Sequence, residues 1–343
     1  MGKNLSDVTV KLNVEQPSVP VNMGNLAIFV KGETPKAETF SSYDDISGVY
    51  SENDSINQIA SGYFAQADHG DKLFVFTYDN LNSVAETYYG EGWEFATVVG
   101  SDGANPDSEM AALSNYIDGK DERFAITAYP ATETTVSKAE EIRNRFGNAR
   151  RTIVFVNGED QSKAFYGLGA LIGAVANELV GSVTWKFRKI GGVKPVNLTV
   201  TQIQKLHDAN IFTYVTKAGI NQTSEGKTIG GEYIDALHGD DWVKASIETE
   251  LQKLLSSSKK LSFDAVGIAQ IDATVTQVLS QATNNGIILE NAETGMGKFA
   301  VTTVPREESP ASDISSRQYT GLSFSYTRAG AIHSVVVSGQ INL

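Results

Sequence analysis

A chain of 343 residues and 36.9 kDa, 41% hydrophobic and 20% charged, carries enough apolar material for two to three compact lobes with their own cores. The absence of cysteine excludes disulfide frameworks, thiolate nucleophiles and Cys-ligated metal sites, and a formal net charge of -13 argues against a general nucleic-acid binder, which needs a concentrated positive face. No run of 18 apolar residues offers a membrane-spanning helix and no signal-peptide pattern opens the chain, so any route out of a cell is expected to be lysis or injection.

The charge is split unevenly. Residues 1–150 carry 11 Lys/Arg against 23 Asp/Glu, whereas residues 151–343 carry 17 against 18. The acidic half reads as a solvated body, and the nearly neutral half as the better surface for protein contact.

In chain order, Val8, Val10, Leu12 and Val14 alternate with polar residues before a break at Pro17 and Pro20. This is a strand signal with no hairpin partner nearby, so the arm must pair elsewhere. Leu26 to Val30 predicts the first strand of the body. Helices are predicted over 56–67, 81–89, 107–116 and 135–146, with strands over 72–78, 93–99, 124–128 and 151–156. Strands separated by helices of this length favour a mostly parallel sheet covered on both faces. The segment 165–179 holds Gly167, Gly169 and Gly173 among Ala and Leu, which allows a helix to approach another backbone closely. After Gly191-Gly192 a helix over 201–209 and a strand over 211–215 are expected. The last third predicts helices over 240–255 and 268–284 and strands over 299–304, 321–326 and 332–337. The fold class is therefore an α/β body, with a possible lobe boundary near residue 150, followed by an α+β module flanked by extended β-forming arms.

No catalytic or metal-binding pattern stands out. His69 sits in a polar turn, His207 reads as exposed near a helix end, His238 as a C-cap beside Gly239, and His333 as the start of a strand. Gly167-x-Gly169-x-x-x-Gly173 lacks dinucleotide-binding spacing, and Gly295-Met296-Gly297-Lys298 reads as a turn rather than a phosphate loop. The pairs Asp44-Asp45, Asp240-Asp241 and Glu307-Glu308 read as solvated or helix-capping charge. Trp185 with Lys186, Arg188 and Lys189 suits contact with an acidic protein surface. No cofactor or metal is expected.

The segment Gly239-Asp240-Asp241-Trp242-Val243-Lys244-Ala245, the Leu251/Leu254/Leu255 stripe, Asp264-Ala265-Val266-Gly267-Ile268, Asn285-Gly286-Ile287 and the run from Ala329 to Gly339 together resemble the C-terminal domain of contractile phage tail sheath proteins, particularly those of smaller myophages and prophages. The resemblance is strongest over 230–343. It implies a mechanical subunit in stacked six-membered rings around a tail tube, in contact with baseplate and tail terminator proteins, without catalysis, direct nucleic-acid contact or membrane insertion. It further implies assembly in the host cytoplasm, release by lysis, and contraction that drives the tube through the host envelope with arms keeping neighbours linked.

On this reading the chain divides into an N-terminal arm (1–22), a body (23–199), an inner sheath domain (200–328) and a C-terminal arm (329–343). The candidate arm strands are Val8, Val10, Leu12 and Val14 at one end and Ile332, Val335, Val336, Val337 and Ile341 at the other. Lys244, Lys253, Lys259 and Lys260 are candidate contacts to the tube or to neighbours, and Ser18, Asn22 and Gly330 candidate hinges. Two alternatives remain open: an α/β enzyme whose site is built from distant residues, and another tail component such as a tube or terminator protein.

Overall fold

The computed structural model describes residues 23–52, 54–100 and 106–338. Val8, Val10, Leu12, Val14, Ser18, Asn22 and Ile341 lie outside the described residues.

Strand β1 (Leu26–Lys31) opens the body, followed by β2 (Lys36–Phe40), α1 (Tyr43–Ser47), α2 (Ser55–Phe64), β3 (Leu73–Tyr78), α3 (Leu81–Thr87) and β4 (Phe95–Val99). Next come α4 (Asp107–Lys120), β5 (Phe124–Tyr129), α5 (Glu133–Ser137), α6 (Ala139–Phe146), β6 (Thr152–Val156) and α7 (Gln161–Val175). After a long connection, α8 (Val200–Asp208), β7 (Phe212–Lys217) and β8 (Ile220–Thr223) complete one eight-stranded sheet in the order β2-β3-β1-β4-β5-β6-β7-β8. The six inner strands run parallel, and β2 and β8 close the two edges antiparallel.

Each inner strand is buried on both faces, which is why these segments read as continuous apolar runs. Along β1, Leu26 and Ile28 enter the core beneath α2 and α7, while Ala27 and Phe29 face the opposite core beneath α3, α4 and α6. Local chemistry sets the helix starts. Asp54, Asn80 and Asp160 accept backbone N–H groups at the N-termini of α2, α3 and α7, and Thr199 and Gln202 form a reciprocal capping box on α8. The helix expected over 135–146 is split at Lys138, whose backbone leaves helical geometry between α5 and α6.

Helices α2 and α7 cross with backbones in contact. A Cβ on Gly169 would collide with the carbonyl oxygen of Ile59, and one on Gly62 with that of Tyr166. The small-residue pattern in α7 therefore encodes a helix crossing that no larger side chain could make.

Two expected boundaries move. Strand β6 pairs in register with β5 over Thr152 to Val156, so no lobe boundary falls near residue 150. Residues 200–223 complete the body sheet rather than opening the inner domain.

The second unit comprises α9 (Ile234–Ser257), α10 (Ala265–Asn284), β9 (Phe299–Thr303), the short α11 (Ala311–Ser316) and β10 (Leu322–Tyr326). Its core joins Val243, Ile247, Val275, Val278, Leu279 and Ala282 to the inward side chains of a β9–β10 antiparallel pair. Both strands alternate along their length. Phe299, Val301, Leu322, Phe324 and Tyr326 turn toward the helices, and Ala300, Thr302, Ser323 and Ser325 toward solvent. Residues 332–337 pair with no strand among the described residues.

Candidate assembly site

Strands β9 and β10 pair with each other and with no other strand among the described residues. A two-stranded sheet of this kind offers two open edges of unpaired backbone groups, a ready template for strand addition.

The chain leaves this sheet through a well-defined exit. Leu289 donates its backbone N–H to Thr327 (2.8 Å), and Ala329 donates to Ile287 (2.9 Å), the last such tie among the described residues before the C-terminal segment. Gly330 follows with φ +68 and open space where a side chain would stand. Conformation rather than crowding therefore calls for glycine there.

Three residues later the segment is pinned to the body. The His333 ring places Nε2 2.8 Å from Thr184 Oγ1 and Nδ1 3.0 Å from Glu225 Oε1, with Tyr233 edge-on at 4.9 Å. Burial pushes the Glu225 carboxyl up, but the Lys186 ammonium at 3.1 Å and the His333 ring outweigh it, so Glu225 sits below its ordinary value and accepts as a carboxylate. On either side of this pin the chain is bare: Ile332, Val335, Val336 and Val337 are 81%, 76%, 92% and 86% exposed. Four large aliphatic side chains in one exposed segment are costly for an isolated subunit and suited to a partner.

The candidate lysines divide. Lys253, Lys259 and Lys260 are exposed near the end of α9 and just beyond it. Lys244 is buried and paired with Glu122, so its ammonium is spent inside the molecule and is corrected from a contact residue to a residue of the internal joint. Asp241 likewise is no solvated capping charge. Helix α9 begins at Ile234 because Ile234 and Leu237 enter the body core, which puts His238 and Gly239 inside the helix and turns Asp241 onto the sheet.

There α9 covers the N-terminal ends of β4, β5 and β6. Arg151 Nη1 lies 2.5 Å from Asp241 Oδ2 and its Nε lies 3.0 Å from Asp121. Outside this pair, Asp240 accepts from Tyr326 (2.5 Å) and from Arg328, tying β10 to the same helix. A cavity of about 420 Å³ between Arg150, Asp240, Phe324 and Arg328 opens on this end of the sheet. Ligands of doubly wound sheets bind at the opposite, carboxyl ends of the strands, so the concentration of charge here marks a joint rather than a catalytic cleft. Among the described residues no cluster of three acidic or imidazole groups is placed to hold a metal ion.

His238 is fully enclosed in this joint between Phe95 and Phe124, with Nε2 2.9 Å from the Met23 carbonyl. A carbonyl can only accept, so Nε2 carries a proton and the neutral ring donates. Burial lowers its pKa to about 4. The unfolded chain takes up a proton near 6.5 and the folded chain does not, so this residue makes stability fall as pH drops from about 6.5 toward 4. Substituting His238→Gln is expected to cost about 1–3 kcal/mol at neutral pH and to flatten that acid limb in thermal melts.

The sequence did not reveal the His333 pin or the Arg151–Asp241 pair, because their partners lie 149, 108 and 90 residues apart.

Comparison with known proteins agrees with this architecture. Residues 234–341 match the family model described as E217 tail sheath protein gp31-like, C-terminal domain. Among curated proteins, none matches the sequence. Over the whole chain the fold is similar to a chain of the anti-feeding prophage baseplate (12% identity, 95% of each chain, TM-score 0.71). It is equally similar to the contracted sheath complex of an extracellular contractile injection system (13% identity, 99% of this chain and 98% of the other, TM-score 0.70). A sheath tail protein from Listeria innocua shares the fold more distantly (8% identity, 90% and 96%, TM-score 0.56). Residues 234–341 therefore resemble a tail sheath C-terminal domain, and the chain shares its fold with solved components of contractile sheaths and baseplates.

Proposed function

We propose that this protein is the structural subunit of a contractile tail sheath that polymerises as stacked six-membered rings around a tail tube and shortens to drive the tube through a host envelope. The observation that carries the reading is the pairing of an incomplete sheet with an unpaired arm in one chain: β9 and β10 offer open edges, and Ile332, Val335, Val336 and Val337 extend from the same unit without a strand to join. Addition of that arm to the β9–β10 sheet of a neighbour satisfies both, by backbone hydrogen bonds for strength and alternate side chains for register. Residues 1–22, with their Val8, Val10, Leu12 and Val14 alternation, supply the second strand on the other edge.

In such a lattice the arms are links and the body faces are exchangeable contacts. Backbone pairing contributes roughly 0.5–1.5 kcal/mol per bond, so several bonds hold neighbours together while body contacts rearrange between two packings. Gly330 supplies the rotation at the root of the C-terminal arm, and Ser18 and Asn22 at the root of the other. Lys253, Lys259 and Lys260 are the cations offered to the tube or to the next subunit. Baseplate and terminator proteins cap the two ends of the polymer, and the particle assembles in the host cytoplasm and leaves by lysis. The role is mechanical, and the energy of contraction comes from the two packings rather than from catalysis.

Electron microscopy of the purified full-length chain, with and without a tube protein, tests this reading. Helical polymers or stacked rings with a central channel are the expected result. A chain that stays monomeric at all concentrations and in the presence of tube contradicts it.

A further inference from the structure

The joint beneath α9 contains one carboxyl group whose hydrogen bonding does not close. Glu94, immediately before β4, is fully buried, and neither of its oxygens receives a hydrogen bond from a donor. Arg123, before β5, lies close enough to offset charge, but its guanidinium packs against the Tyr89 and Trp93 rings, 3.9 and 4.2 Å from the ring centres. None of its nitrogens reaches an acceptor, so it contributes field and no donor. The neighbouring Glu122 is already taken by Lys244 from α9 and by the Tyr89 hydroxyl at 3.2 Å. Just before β6, Arg151 is committed to Asp241 and Asp121. From α9, His238 is neutral and donates its Nε2–H to the Met23 carbonyl, and Asp240 is engaged by Tyr326 and Arg328. The group of α9 within hydrogen-bonding reach of Glu94 is the Asp241 carboxyl. Two carboxylates cannot donate to each other, and an ionised, fully buried carboxylate without a donor is strongly disfavoured.

We propose that Glu94 and Asp241 share one proton, the O–H of one carboxyl donating to an oxygen of the other, and that this shared proton latches α9 onto the sheet. This goes beyond the sheath assignment and holds for the folded chain whether or not it is assembled. Loss of the proton to solvent leaves two facing carboxylates under the first helix of the sheath domain, and their repulsion loosens the joint. The electrostatics run the same way. Burial pushes Glu94 well above the ordinary carboxyl range, with the Asp241 charge adding to it, and burial lifts Asp241 to about 6 against the pull of Arg151.

The sign follows from proton counting. Above the ordinary carboxyl range the folded pair keeps a proton that the unfolded chain has lost, so stability falls as pH rises, by about tenfold in the folding constant per pH unit, until the pair ionises. His238 works in the opposite direction but only below about pH 6.5; the raised Glu178 and Asp235 carboxyls and the lowered Lys217 ammonium add slopes of their own, so the difference between the wild type and a variant without the shared proton isolates the carboxyl pair.

The test uses the full-length chain and Glu94→Gln, whose amide donates to Asp241 and has no proton to lose. Between about pH 6.5 and 9 the wild-type melting temperature is expected to fall more steeply than that of Glu94→Gln, and the protection of amides across 238–248, corrected for the base-catalysed intrinsic exchange rate, to drop in the wild type and hold in the variant. Infrared spectra should show a protonated-carboxyl C=O stretch in the wild type that titrates over the same limb and is missing in the variant. Equal pH slopes in the two proteins, or no protonated-carboxyl band in the wild type at neutral pH, would overturn the proposal. Should Glu94→Gln fail to fold, the wild-type infrared titration decides alone.

Discussion

Deleting residues 334–343 is expected to abolish long polymers while leaving a folded, soluble monomer. The described part of that segment, 334–338, contributes to none of the three apolar cores. Val335, Val336 and Val337 are more than three-quarters exposed, so their removal takes away little that the single chain buries. The change in unfolding free energy should stay within about 0.5 kcal/mol, as for other surface changes. The same deletion removes a whole strand's worth of backbone bonds from every neighbour contact, at roughly 0.5–1.5 kcal/mol per bond, which a repeating lattice multiplies at each subunit. Sedimentation together with negative-stain microscopy checks both halves of the expectation. The cut falls after His333, so the pin to Thr184 and Glu225 survives and the body surface stays intact.

Gly169→Ala is expected to produce the largest loss of stability among conservative changes, about 3 kcal/mol in chemical denaturation. Its new methyl group would meet the Ile59 carbonyl, a backbone atom inside a helix that cannot step aside, and Gly62 and Gly173 lock the same crossing from neighbouring turns. Gly119→Ala in α4 is the matched control, since nothing lies within 4 Å of its Cβ position. There the change should be neutral or stabilising by up to about 1 kcal/mol, from the gain in helix propensity alone. A similar loss at both positions would mean that the α2–α7 crossing is looser than described.

Much of the fold was legible because its strands are buried on both faces. Leu73 to Tyr78 and Phe95 to Val99 are apolar nearly throughout, and short apolar runs set between helices are the mark of strands in a sheet covered on both sides. The edges were not. Strand β2 is Lys-Ala-Glu-Thr-Phe and β8 Ile-Asn-Gln-Thr, short and largely polar because an edge strand faces solvent. The start of α9 was misplaced for a related reason: His238-Gly239 carries the local chemistry of a helix end, and only burial against Phe95 and Phe124 keeps the helix running through it.

The strand expected over 332–337 does not form in the single chain. The aliphatic residues there carry strand propensity, yet Ile332 to Val337 find no ladder among the described residues and stay largely exposed. What pattern reading could not supply was the charge network. Asp241 and Lys244 sit in a stretch that reads as a polar helix face, and their partners Arg151 and Glu122 lie far upstream at the ends of separate strands. Only the meeting of α9 with the sheet turns those residues from solvated charge into a joint.

In the assembled sheath the segment beyond Gly330 is expected to complete the β9–β10 sheet of a neighbouring subunit. Electron cryomicroscopy of the assembled polymer at residue resolution tests it most directly. Ile332 to Val337 should form a strand hydrogen-bonded to an edge of a neighbour's β9–β10 pair, retained in both extended and contracted forms. A segment folded back on its own body, or β9 and β10 edges left bare in the polymer, would contradict it.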